Sequence, residues 1–130
     1  MNTPNPAPGF KKHPDHKMQL SGNDFAASAA VGGIIIARTT NAIIISEGDY
    51  ADAIYFPRAD VDIALLQASE TTSFCPFKGT AHYWHLRNEQ QNTPEHIDIC
   101  WRYEEPFDEA INIGTYIAFY RDKVTVTYCQ

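Results

Sequence analysis

Apolar residues along this chain recur mostly at every second position, the spacing of β-strands, and only briefly at every third or fourth. Two β-branched runs, VGGIIIAR (31–38) and NAIIISE (41–47), predict two strands with Thr39, Thr40 and Asn41 as the hairpin turn between them. Three consecutive isoleucines do not alternate with polar residues, so at least one of these strands is expected to be covered on both faces. AIYFP (53–57) predicts a short strand stopped by Pro57. HKMQL (16–20) is a weaker strand signal, and GNDFAAS (22–28) reads as a turn.

The period changes once. In RADVDIALLQAS (58–69), Val61, Ala64 and Leu65 would share one helical stripe behind Asp60 as N-cap, which predicts a short helix from about 61 to 67. Strand spacing then returns in GTAHYWHLR (79–87), where Ala81, Tyr83 and His85 oppose His82, Trp84 and Leu86. NEQQNTPE (88–95) reads as an exposed hairpin loop. HIDICWRY (96–103) places Ile97, Ile99, Trp101 and Tyr103 on one face. PFDEAINIG (106–114) carries the proline, early acids and closing glycine of a brief helix. TYIAFYRDKVTVTY (115–128) predicts a closing hairpin with Arg121, Asp122 and Lys123 near its turn. The sum is a mainly β, single antiparallel domain, a barrel or two packed sheets, with two short helices. Residues 1–12, with prolines at 4, 6 and 8, are expected to be a disordered or extended lead-in to a domain over 13–130.

Composition narrows the function classes. A chain of 130 residues suffices for one domain that buries a core without metal or disulfide. The net charge of -6, with no extended basic run, argues against nucleic acid and membrane surfaces as partners. There is no signal core and no membrane-spanning apolar run, and the odd set Cys75, Cys100 and Cys129 has no Cys-x-x-Cys pair. A cytoplasmic protein with reduced thiols is expected.

Several residues carry candidate chemistry. Cys75 precedes Lys78 by three positions across Pro76, so a turn would bring an ammonium to a thiol and favour the thiolate of a nucleophile or redox centre; the alternative is a small buried apolar residue. Lys78 either stays solvated beside a turn glycine, Gly79, or binds an anionic group. Arg58 either pairs with Asp60 or Glu47 or grips a carboxylate or phosphate. Tyr83, Trp84, Trp101 and Tyr103 sit on strands predicted to pair, as core or as the wall of a flat pocket. His82 and His85 fall on opposite strand faces, so no metal site and no cofactor are read.

Four ordered blocks, IYFPRADV (54–61), TSFCPFKGTAHYW (72–84), WRYEEPFDEA (101–110) and YIAFYRDKV (116–124), together resemble the family catalogued as domain of unknown function 427. The His13-Pro14 pair and the glycine–isoleucine stretch before residue 48 fit as well, so the resemblance spans roughly residues 13–128. It implies a compact, mostly β fold similar in outline to methionine sulfoxide reductase B and the Mss4-like zinc proteins. The paired cysteines that hold zinc in many of those relatives are missing here, and no zinc is carried over. The family is also catalogued under a nucleotidyltransferase label. The Asp60-Val61-Asp62 triplet lacks the preceding Gly-Ser and the strand setting of the common palm-type enzymes, and Asp60 reads as a cap.

The expectation that follows is a small-molecule pocket for an anionic or aromatic ligand, lined by Arg58, Asp60, Lys78, Tyr83, Trp101 and Tyr103. Two alternatives are a thiol enzyme using Cys75 with Lys78, and a homodimeric interaction module. Whether the chain is an enzyme is left open.

Overall fold

The computed structural model describes residues 4–48, 50–87 and 96–129. Among the described residues, eight strands form a single antiparallel sheet: β1 Met18–Val31, β2 Ile34–Glu47, β3 Ala53–Pro57, β4 Leu66–Cys75, β5 Gly79–Leu86, β6 Cys100–Tyr103, β7 Tyr116–Phe119 and β8 Thr125–Cys129. Their spatial order is β4-β5-β6-β7-β3-β2-β1-β8. Leu66 of β4 and Val126 and Tyr128 of β8, from the two ends of that order, belong to one core, so the sheet curls around it. The expected mainly β, antiparallel domain is what forms.

Successive side chains of the central strands point to opposite faces of the sheet and fill two cores, one per face. Ile44, Ile54, Phe56, Ile117 and Phe119 fill the first. Ile43, Ile45, Tyr55 and Ala118, their neighbours in sequence, fill the second. This explains the isoleucine run: Ile43, Ile44 and Ile45 are all buried because β2 is covered on both sides.

Several expected boundaries move, each for a local reason. The turn between the β-branched runs lies at Gly32 and Gly33, not at residues 39–41. Val31 pairs with Ile34, and the two glycines take φ of +55° and +85°, the conformation of a two-residue hairpin loop. The two runs therefore make one 14-residue strand, β2. Residues 22–28, read as a turn, belong to β1, where shifts of register between Ser21 and Ala27 absorb the Gly and Asp. The helix expected at 61–67 is replaced by two single 3-10 turns, Arg58–Asp60 and Ile63–Leu65, with β4 starting at Leu66. The segment is pinned to β2 instead, through an Ala37–Val61 bridge and the Asp62 N–H on the Ile36 carbonyl at 2.8 Å. A seven-residue helix has too few bonds to compete with that.

Downstream, Asp98 takes φ of +51° and breaks the alternation expected over 96–103. Ile99 and Cys100 both enter the first core while Trp101 and Tyr103 join the second, and only Cys100–Tyr103 is strand. The brief helix after Pro106 is a 3-10 segment at Asp108–Ile113. The last two strands are not a hairpin: β7 lies between β6 and β3, and β8 crosses to pair with β1. The loop expected at 88–95 lies outside the described residues.

The second face is roofed by chain from three places. Ala110 and Ile113 pack into it from the 3-10 segment, and the turn after Cys75 folds over it. From Asn5, the stretch expected as a lead-in is also held there. The Asn5 and Ala7 N–H groups donate to the Asp108 and Glu109 carboxylates at 2.8 and 2.9 Å. Gly9, opening the single-turn helix α1 (Gly9–Lys12), donates to the Pro76 carbonyl at 2.9 Å.

Candidate functional site

The 75–79 turn is set by its residues. Cys75 and Gly79 pair across it, and Gly79 takes φ of +133° where a Cβ would stand 3.2 Å from the Glu105 carbonyl oxygen. Only glycine fits both demands. Lys78 is thereby turned onto the second face, where it is 7% exposed. Its ammonium meets Glu47 Oε1, while His16 Nε2 donates to Glu47 Oε2 at 2.7 Å. Burial by itself would raise the Glu47 carboxyl, but the bonds and charges of Lys78 and His16 outweigh it and hold the group below its ordinary value. Lys78 is thus neither solvated nor free to receive an anion.

Beside this pair stands a set of aromatic side chains. The register aligns Tyr83, Trp101, Ala118, Tyr55 and Ile43 across five strands. Tyr55 meets Trp101 edge-on at 6.4 Å between centroids, and Trp101 meets Tyr120 at 4.5 Å. Tyr83 lies parallel to Tyr120 at 6.2 Å. Their hydroxyls continue into a chain in which Ser73 Oγ and Tyr83 O–H are 2.7 Å apart and Tyr120 donates to Tyr83 at 3.4 Å. Burial, above all, pushes the Tyr55 and Tyr103 hydroxyls far above the ordinary phenol range. Both therefore remain protonated donors at neutral pH. Tyr83, Trp101 and Tyr120 stay half-buried, with part of each ring reaching solvent.

Of the residues expected from sequence, the structure brings together Cys75, Lys78, Tyr83, Trp101 and Tyr103, and puts Trp84 on the other face. Arg58 and Asp60 are not with them. Arg58 follows β3 at its Pro57 end, exposed and without an ion pair among the described residues, whereas Glu47 ends β2 beyond the Ile45–Ala53 pair. Asp60 accepts from Thr39 Oγ1 at 2.7 Å and makes no N-cap bond. Glu47, considered as a partner for Arg58, takes Lys78 instead. Cys75 is half-buried against the second core, and the ammonium assigned to activate it is held by Glu47. Burial, then Asp98, pushes the Cys100 thiol far up, as suits a packed and unreactive group. Among the described residues no three His, Cys, Asp or Glu side chains gather as metal ligands, and no helix is long and apolar enough to cross a membrane.

His16, Glu47, Tyr55, Ser73 and Tyr120 were not singled out as site residues. The period-two rule held the signal for Glu47, which continues the Ile43, Ile45 face, whereas Tyr55 joins that face through its pairing with Ile43. For His16 and Ser73 no local signal existed, because their partners lie on other elements.

A family model described as a domain of unknown function, DUF427, matches residues 23–130. The chain belongs to this family. The match takes in most of the sheet and the turn carrying Lys78, while His16 and the α1 segment precede it. No curated protein matches the chain.

Proposed function

We propose that this DUF427 domain binds a small ring-bearing molecule on the face of Tyr55, Tyr83, Trp101 and Tyr103 beside the Glu47–Lys78 pair. The observation that carries the reading is the gathering of four aromatic side chains and a buried, engaged lysine on one face. Three of the aromatics stand in one cross-strand row, with the half-buried rings of Tyr83, Trp101 and Tyr120 at the edge of the face. A half-buried Trp or Tyr offers a ligand stacking area and a polar handle at low entropic cost. The Ser73 and Tyr83 hydroxyls, 2.7 Å apart at the solvent edge of the face, supply polar contacts to a carbonyl or hydroxyl of the ligand. Because Lys78 is offset by Glu47, the face favours an aromatic over an anionic ligand.

The test uses Trp101 as reporter. Trp84→Phe removes the other tryptophan, which lies in the opposite core, and leaves fluorescence from Trp101 alone. A ring compound recovered by native mass spectrometry from the purified protein should quench that emission saturably, and Tyr83→Ala should weaken the effect. Emission unmoved by every co-purified compound would remove the proposal. A thiol role for Cys75 has less support, since its expected activator is engaged. It would return if Cys75 were alkylated by iodoacetamide well below the ordinary thiol range near pH 8.5.

A further inference from the structure

Lys78, read from sequence as either a solvated residue or an anion contact, directs its charge to Glu47. A different set of cations is available on the far side of His16. The stretch FKKHPDHK (10–17) holds Lys11, Lys12, Lys17, His13 and His16 against one carboxylate, Asp15, in a chain whose net charge is -6. The fold bends this stretch around a hollow of about 530 Å³ whose lining includes Lys12, His13, Asp15, His16, Tyr50 and Phe77.

The hollow is built from fixed parts. The His16 ring stacks on Phe77 with centroids 3.8 Å apart and planes 14° apart, and Phe10 closes on Phe77 edge-on at 5.0 Å. His16 is anchored behind by Glu47, and the Gly48 N–H binds the Lys17 carbonyl at 3.0 Å. Lys12 and His13 are exposed and form no ion pair among the described residues. Tyr50, 76% exposed, is the most exposed large apolar side chain described. Its ring stands open to solvent on the rim of the hollow that Lys12, His13 and His16 line, a flat surface on which a planar ring can stack. Among the described residues, the carboxylates that oppose an anion here are Asp15 on the rim and Glu47 behind His16, and Glu47 is already offset by Lys78. Asp49, between Gly48 and Tyr50 in sequence, lies outside the described residues.

We propose that this hollow binds a small molecule carrying a phosphate or carboxylate on a planar ring, with Lys12, His13 and His16 receiving the anion and Tyr50 stacking on the ring. The site is independent of the aromatic face and shares only the His16–Glu47 contact with it.

Titration of the full chain followed by amide NMR tests this, with phenyl phosphate, inorganic phosphate and benzyl alcohol as probes. Phenyl phosphate should shift Lys12, Gly48 and Tyr50 saturably in the millimolar range, and inorganic phosphate should act on the same residues more weakly. Lys12→Glu should weaken both by about tenfold. Tyr50→Ala should weaken phenyl phosphate and leave inorganic phosphate unchanged. Both side chains are exposed, so unchanged thermal melting will show that the variants fold. Benzyl alcohol binding as tightly as phenyl phosphate, Lys12→Glu without effect, or shifts absent from these residues would each overturn the assignment.

Discussion

Glu47 shows how a single residue binds distant pieces of this chain. It receives Lys78 and His16, each 31 positions away, on different carboxylate oxygens. Its lowered folded-state pKa makes a signed prediction. The stabilisation is fully present above the ordinary value of 4.5 and is lost as pH falls through the lower folded value. Glu47→Gln should therefore be less stable than the native protein at pH 7, and urea denaturation at pH 7, 5 and 3 should show the gap closing toward pH 3. Lys78→Met leaves Glu47 without its ammonium in a mostly buried place and should cost about 3 kcal/mol at pH 7 by the same assay. Gly79→Ala tests the turn that delivers Lys78. With φ at +133° and the Glu105 carbonyl 3.2 Å from the new Cβ, it should cost ~2 kcal/mol of unfolding free energy.

At the scale of elements, the N-terminal segment and the 75–79 turn behave as one clasp. Gly9 is their closest approach: a Cβ there would stand 2.7 Å from Phe77 Cε1 and 2.9 Å from the Pro76 carbonyl oxygen. Gly9→Ala should push the segment away, and hydrogen exchange should speed up at the amides of positions 7 and 9 while the Ile43–Ile45 amides of β2 stay protected. Equal protection throughout would mean that the clasp tolerates the methyl group. The same scale separates what could be read from sequence. AIYFP was legible as β3 because Pro57 ends it, and the Gly79 strand because its alternation is clean. The 61–67 helix was not, since Val61 and Asp62 answer to β2 rather than to their neighbours. The Asp98 kink likewise hid the division of Ile99 and Trp101 between opposite cores.

For the molecule as a whole, one eight-stranded sheet with a core on each face sets the site. The first core gives the sheet its curl. The second is the smaller and is completed by side chains from the roof, and ionisable and aromatic groups meet there. Local pattern alone determined that the chain is a mainly β domain, that at least one isoleucine strand is covered on both sides, that Tyr83 and Trp84 face opposite ways, and that Trp101 and Tyr103 share a face. Those facts follow from side-chain alternation, which is a property of neighbours. Only the tertiary structure decided that Lys78 belongs to Glu47, that Arg58 and Asp60 stand apart, and that Lys12, His13, His16 and Tyr50 line one hollow. Strand order and the path of the roof fix those pairings, and contacts between residues far apart in sequence leave no period along the chain to read.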